Sequence, residues 1–325
     1  MFAPHALCTH AMQVHHIEQE TPDVWTLSLI SHDVYAYQPG QFALVSINNS
    51  ETLRAYTLSS TPGQSRFVTL TVRRLENGSG SGWLTQRVKT GDNLWLSDAQ
   101  GDFTCARQED ERYLFLAAGC GVTPIMSMCR WLAANRPRAD VQVIYSVRSP
   151  REVIFAKTWP TLQPWLKLTL FAEQQALPPV LAGRLTREHL AALVPDIAIR
   201  RVMACGPAPY MDQVEKDAMA LGATAFMQER FHAPAVTGTR QLKITLARLQ
   251  REFSAPVGVT LLAALEANKI PVNAACRAGV CGCCKTRILT GRYTTTSTMT
   301  LSPAEIAEGY VLACSCRLES DVALA

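Results

Sequence analysis

Through the first hundred residues, apolar positions alternate with polar ones in short runs: MQVHHIEQE, VWTLSLIS, FALVSIN, AYTLSS, FVTLTVRR and NLWLSD. Turn pairs such as Pro39-Gly40, Pro62-Gly63 and Gly91-Asp92 separate them. A period of two broken by such turns predicts the strands of a small antiparallel barrel. From about Glu111 the pattern changes to YLFLAAG, PIMSMCRWLAAN, VQVIYSV, LKLTLFAE, REHLAALV, RVMACG and PYMDQVEKDAMALG. Apolar strands alternating with helical stretches predict a parallel sheet covered by helices. Between Phe231 and Gln241, HAPAVTGTR has no apolar periodicity and is expected to be a linker. QLKITLARLQREFSAP then predicts two strands, and TLLAALEANK a helix capped by Thr260.

Composition agrees with several domains, since 325 residues with 48% apolar content bury more than one core. The net charge of +4, with no long Lys/Arg block, does not suggest nucleic acid as a partner. No apolar run reaches the roughly 18 residues of a membrane-spanning helix, and MFAPHALCTHAMQVHH lacks the order of a secretory signal. The expectation is a soluble cytoplasmic protein with no membrane partner. Eleven Cys without a regular pairing pattern point to reduced thiols plus one metal site rather than to a disulfide framework.

That metal site is the most specific signal in the chain. Cys276-Arg-Ala-Gly-Val-Cys281-Gly-Cys-Cys284 gives C-x4-C-x2-C, with YVLACSC further on, which is the plant-type spacing for four thiolates around two irons. Zinc sites favour two separated C-x2-C knuckles instead. Gly279 and Gly282 permit close backbone approach in the ligand loop, and Ala278 avoids crowding. Cys283 would change the second spacing to C-x-C. Cys314 and Cys316, two apart on one expected strand face, both remain open as the fourth ligand. Arg277, Lys285, Arg287 and Arg292 surround the motif without an acid between Cys276 and Arg292, which suggests an acidic docking partner.

Two further motifs carry cofactor chemistry. In Arg54-Ala-Tyr56-Thr57-Leu-Ser59-Ser60, a guanidinium suits a pyrophosphate, a Tyr ring an isoalloxazine, and a Thr hydroxyl a reactive ring nitrogen. Gly78-Ser-Gly80-Ser81-Gly82 precedes an expected helix start at Trp83, whose N–H groups would face phosphates. After YLFLAAG comes Gly119-Cys120-Gly121-Val122-Thr123-Pro124. Pro124 stands where a Rossmann fingerprint needs its third Gly, so the strict reading fails and leaves a glycine turn at a helix N-terminus.

In this order the motifs resemble the ferredoxin–NADP reductase superfamily with a C-terminal plant-type ferredoxin domain over residues 241–325. The match rests on R-x-Y-[ST], G-x-x-S, G-x-G-x-T-P, Cys205-Gly206-Pro207 and Glu229-Arg230-Phe231. The resemblance implies a multidomain fold: an antiparallel β-barrel flavin domain, an α/β parallel-sheet nucleotide domain and an α+β (β-grasp) [2Fe–2S] domain. It implies FAD held by Arg54, Tyr56, Thr57, Ser59, Gly80 and Ser81. It likewise implies the nicotinamide cofactor at Gly119, Gly121, Thr123, Pro124, Arg148, Gly206, Pro207 and Phe231. Cys205 and Thr57 would flank the hydride transfer, and Cys276, Cys281, Cys284 and Cys314 would bind the cluster.

Over residues 12–325 the chain resembles the NADH oxidoreductases that serve the hybrid-cluster protein, in MQVHHIEQETPDVWTLSLI, LAAGCGVTPIMSM, AACRAGVCGCCKT and STMTLSPAEIAEGYVLACSC. That implies electron flow from NADH to FAD to [2Fe–2S] to the hybrid-cluster protein, linked to nitric oxide or hydroxylamine reduction under low oxygen. Ser146 and Arg148 without a ribose-binding acid lean toward NADPH by the Rossmann rule, whereas the resemblance favours NADH. The expected boundaries are a mobile tail at 1–11, a flavin barrel at 12–108, a nucleotide domain at 109–232, a linker at 233–240 and a ferredoxin domain at 241–325. A reductase for an oxygenase, some of which use FMN, and a redox sensor are the competing readings.

Overall fold

The computed structural model describes residues 4–76, 78–231 and 240–325. Its contacts divide the chain into two compact units, one of Met1–Ser50 with Tyr56–Phe231 and the other of Glu51–Ala55 with His232–Ala325. Residues 1–3 of the expected tail and 233–239 of the expected linker lie outside the described residues.

The alternating segments form β1 (His10–Thr21), β2 (Val24–Ile30), β3 (Phe42–Ser46), β4 (Leu53–Thr57), β5 (Val68–Arg73) and β6 (Asn93–Leu96). They make one sheet in the order β4-β3-β6-β1-β2-β5. A bridge between Leu58 and Leu70 brings its two edges together as a barrel. Inward residues such as Val14, Leu27, Leu29, Val45 and Leu70 fill the interior, while their neighbours along each strand face outward. Helix α1 (Ser79–Gln86) crosses between β5 and β6. It begins four residues earlier than expected, so Gly80, Ser81 and Gly82 lie inside it.

Residues 4–11 correct the expectation of a mobile tail. Cys8 is fully buried and its Sγ lies 3.6 Å from the Leu44 carbonyl. His10 and Ala11 already pair with Leu96 and Trp95 of β6. Burial of the Cys8 thiol, invisible in a sequence with no apolar period there, holds the segment down.

The second sheet is parallel throughout: β7 (Arg112–Ala118), β8 (Asp140–Val147), β9 (Lys167–Ala172), β10 (Leu181–Ala182), β11 (Arg201–Cys205) and β12 (Ala225–Glu229), in the order β10-β9-β8-β7-β11-β12. β7 is buried from Tyr113 to Ala118 because helices cover both faces, which explains its unbroken apolar run. Those helices are α2 (Val122–Asn135), α3 (Trp159–Leu162), α4 (Arg187–Leu193) and α5 (Ala208–Ala220). The strand order reverses between β7 and β11, and in open α/β sheets the crevice at such a point, beyond the C-terminal strand ends, is where ligands bind.

The last unit holds β13 (Gln241–Leu246), β14 (Arg251–Pro256), α6 (Leu261–Ala267), β15 (Lys285–Thr290), β16 (Tyr293–Thr295), α7 (Pro303–Ala307), β17 (Tyr310–Leu312), β18 (Cys316–Leu318) and β19 (Val322–Leu324). A mixed sheet, β14-β13-β19-β15-β17, packs against α6. Thr260 caps α6 by accepting from Ala263 N–H, and Ser302 with Glu305 forms a capping box on α7. Among the described residues no helix is long and apolar enough to cross a membrane.

Candidate functional site

At the C-terminal edge of the parallel sheet, strand register sets Ser146 beside Ala118, Ala117 beside Cys205, and Cys205 beside Glu229. Two turns leave this edge at the reversal point, Gly119-Cys120-Gly121 after β7 and Gly206-Pro207 after β11. They are in contact: a Cβ on Gly121 would stand 2.0 Å from the Cys205 carbonyl oxygen, and one on Gly206 would stand 2.9 Å from the Tyr210 ring. Glycine at both positions follows from close approach, with Gly121 in ordinary right-handed geometry.

Among the described residues, Glu229 Oε2 is a buried side-chain atom without a hydrogen-bond partner, whereas the buried Arg73 guanidinium pairs with Asp23 at 3.1 Å and the hydroxyls of Tyr210 and Ser146 meet one another. Glu229, Arg73, Tyr210 and Ser146 surround these turns. Arg73 Nη1 would lie 3.5 Å from a Cβ on Gly119, and Tyr210 follows Gly206 on α5 beside Ser146. Burial pushes the Glu229 carboxyl up to about 8, so it is largely protonated at neutral pH. It also pushes the Cys205 thiol well above its ordinary value, with the Glu229 charge acting in the same direction. An unsatisfied buried acceptor is costly in a folded chain, and Glu229 Oε2 at this edge fits a polar ligand that supplies a partner.

Several residues expected to touch cofactors have their side chains committed elsewhere. The Ser59 hydroxyl is fully buried within a cluster formed by Thr69 and Thr71, each 2.8 Å away. The Ser81 hydroxyl accepts from Leu75 N–H at 3.1 Å and thereby ties down the loop before α1. Thr123 donates to the Cys120 carbonyl at 3.0 Å, closing the glycine turn, and Pro124 is third in α2 rather than first. Arg148 is 65% exposed and pairs with Glu152 at 3.1 Å. Thr57 is buried, Arg54 and Tyr56 are half-buried on β4, and Phe231 is 40% exposed just past β12. Gly80 is buried in the first turn of α1, and Pro207 caps α5.

In the other unit, the four expected cysteines converge. Cys284 Sγ and Cys314 Sγ lie 3.3 Å apart, and Cys276 interacts directly with Cys281 and Cys314. Backbone donors turn inward: Gly279 N–H points at Cys314 Sγ at 3.1 Å and Ala278 N–H at Cys276 Sγ at 3.4 Å. Hydrogen bonds from Cys281 and Cys314 pull the Cys276 thiol well below its ordinary value, and that of Cys314 lowers Cys284, while the thiols of Cys281 and Cys314 are pushed up in turn. Gly279 and Gly282 adopt φ of +74° and +76°, and a Cβ on Gly279 would meet that of Ser297 at 2.8 Å. Inward N–H donors and a loop wound in left-handed geometry suit thiolates around an iron–sulfur group.

Cys314 and Cys316 do not share a strand. Cys314 lies in the turn joining β17 to β18, whereas Cys316 starts β18 and is fully buried in the core, its thiol pushed up to about 12 by burial. The basic face is also less cationic than its composition suggests: Arg277 pairs with Glu266, and Lys285 with Glu305. Those acids come from α6 and α7, outside the motif window.

Sequence reasoning missed Glu229, Arg73 and Tyr210. Glu229 belongs to the Glu229-Arg230-Phe231 motif, and Arg73 ends a buried strand in FVTLTVRR, which are weak signals in themselves. Burial of their polar atoms around the two turns, a tertiary property, is what singles them out.

The fold and these two sites define a modular flavin- and iron–sulfur-dependent oxidoreductase. The family models agree: an oxidoreductase FAD-binding domain matches residues 12–105, an oxidoreductase NAD-binding domain 115–216 and a 2Fe-2S iron-sulfur cluster binding domain 244–319. The fold is similar to that of a phthalate dioxygenase reductase, a modular protein for electron transfer from pyridine nucleotides to [2Fe–2S], with a TM-score of 0.66 and 21% identity over 97% of each chain. A glycine betaine monooxygenase reductase subunit of Chromohalobacter salexigens is 28% identical, covering 97% of this chain and 95% of its own. The NADH oxidoreductase HCR of Escherichia coli strain K12 is 62% identical over 327 residues and the full length of both chains. The chain belongs to that family of NADH oxidoreductases.

Proposed function

We propose that this chain is the NADH-dependent reductase of the hybrid-cluster protein, acting in the cytoplasm in nitric oxide or hydroxylamine reduction under low oxygen. Electrons run from NADH through FAD and [2Fe–2S] to that partner. The observation that carries the reading is the pairing, in one chain, of two glycine turns packed at the C-terminal edge of a parallel sheet, beside an unpartnered Glu229 oxygen, with a loop that gathers four thiols. FAD, when bound, accepts the two electrons of a hydride and releases them singly, which the one-electron cluster requires.

The proposed domains keep the bounds set by the motifs, with FAD held in 12–108, NADH in 109–232, a linker at 233–240 and the cluster in 241–325. Arg54 holds the flavin pyrophosphate, Tyr56 lies against the isoalloxazine, Thr57 hydrogen-bonds at the reactive nitrogen, and the N–H groups around Gly80 and Ser81 face phosphate. Gly119, Gly121 and Gly206 let the two turns close against each other beneath the nucleotide, with Thr123, Pro124 and Pro207 fixing the helices behind them and Phe231 covering the nicotinamide. Cys205, kept as a neutral thiol by burial, packs beside the ring and is not a nucleophile. Glu152 occupies Arg148 and so weakens the case for a 2′-phosphate, which supports NADH. Cys276, Cys281, Cys284 and Cys314 bind the cluster.

The partner assignment rests on the likeness to NADH oxidoreductase HCR. Anaerobic stopped-flow mixing of the NADH-reduced chain with purified hybrid-cluster protein tests it: rapid reoxidation supports the reading, and reoxidation by an oxygenase component alone supports the rival suggested by the monooxygenase reductase relative.

A further inference from the structure

Three hydrogen bonds converge on one fully buried residue of α2. The Ser127 hydroxyl donates to the Ser60 carbonyl at 2.5 Å and accepts from Gly40 N–H at 3.3 Å, while the Ser127 carbonyl accepts from the Thr61 hydroxyl at 2.9 Å. A serine inside a helix commonly bonds back to a carbonyl one turn earlier. Here the hydroxyl is directed away from its own helix, at two separate segments of the barrel. Ser60 and Thr61 continue the segment that carries Tyr56 and Thr57. Ser127 follows Thr123 by one turn of helix and lies about 9 Å along the axis from the end of the glycine turn at Gly121. A second tie lies just beyond, where Gln64 Nε2 donates to the Arg130 carbonyl at 3.1 Å.

We propose that Ser127 is a positioning residue that fixes the separation between the glycine turn receiving the nucleotide and the strand holding the flavin, and thereby sets the hydride-transfer distance. This rests on the reading that hydride crosses from NADH to FAD in this chain. Transfer requires reacting atoms within about 3–3.5 Å, and misplacement by about 1 Å costs on the order of a hundredfold in rate. Ser127 acts on that distance because its partners belong to the barrel and its helix begins at the nucleotide turn. Loss of the hydroxyl leaves Gly40 N–H and the Ser60 carbonyl without their partner in a buried seam.

The test uses the holoenzyme with Ser127→Ala and, as a second variant that keeps the seam filled, Thr61→Val. Stopped-flow flavin reduction by NADH and by NADH deuterated at C4 is followed together with NADH affinity, flavin content and hydrogen exchange at the Gly40 amide. Ser127→Ala is expected to lower the limiting reduction rate by about 10- to 100-fold, with flavin content and NADH affinity within twofold of the parent. The deuterium isotope effect should rise and Gly40 exchange should accelerate, and Thr61→Val should move the rate and isotope effect in the same direction. An unchanged limiting rate and isotope effect in both variants overturns the proposal. So does loss of flavin in proportion to loss of rate, which marks a merely structural bond. Absence of NADH-dependent flavin reduction in the parent enzyme would instead overturn the proposed function.

Discussion

Replacing Gly121 by Ala would place a Cβ 2.0 Å from the Cys205 carbonyl oxygen, 2.3 Å from its carbon and 2.7 Å from Gly206 N. All three are backbone atoms, so no side chain can swing aside. Real Cβ contacts are essentially never closer than 3.0 Å, so the two turns must separate by at least about 1 Å. The glycine's φ is ordinary, which removes backbone strain from the comparison and leaves steric displacement as the sole perturbation. Overpacking of this kind costs about 1–3 kcal/mol in stability, and a shift of about 1 Å between turns proposed to hold the nicotinamide lowers hydride transfer on the order of a hundredfold. The assay is anaerobic stopped-flow reduction of the flavin by NADH, with flavin content as the control for an intact barrel. A G121A enzyme that keeps its flavin and reduces it within threefold of the parental rate refutes the close-contact argument.

Three other outcomes follow from the same geometry. Cys314→Ser should abolish the cluster by iron content and by the EPR signal of the reduced protein, whereas Cys316→Ser should retain it; cluster loss in the second alone would reverse the assignment. Arg54→Ala should lower FAD content, and full stoichiometric FAD would contradict its pyrophosphate role. Glu229, with a pKa raised from 4.5 to about 8, binds its proton more tightly in the folded chain than in the unfolded one. The stability it contributes is therefore complete below about 4.5 and lost as pH rises through about 8. Denaturant titrations between pH 5 and pH 9 should show the parent losing roughly 4 kcal/mol relative to Glu229→Gln across that window, and parallel pH profiles would contradict a protonated Glu229.

The fold was legible because its signals are local. Period-two runs marked the barrel strands, and the continuous apolar run of β7 marked a strand covered on both faces. Motif residues were less legible at the level of individual side chains. Ser59, Ser81 and Thr123 carry hydroxyls at motif positions, but three-dimensional neighbours claim each of them. Nothing in the spacing of Cys314 and Cys316 reveals that a turn parts them, since the chain bends after only three residues of β17. The cations near the cluster motif read as a basic face until Glu266 and Glu305 are brought to them from distant helices. Glu229 and Arg73 became visible only through burial of their polar atoms at the sheet edge, which no local pattern encodes.

The central claim is that one chain carries electrons from NADH through FAD to [2Fe–2S]. The direct measurement is anaerobic rapid mixing of the holoenzyme with one equivalent of NADH, recording flavin absorbance and the freeze-quenched EPR spectrum of the cluster. The account predicts flavin bleaching followed by appearance of the reduced [2Fe–2S] signal, and in Cys281→Ser the bleaching without that signal. A flavin that bleaches in the parent enzyme while its intact cluster stays oxidised would contradict it.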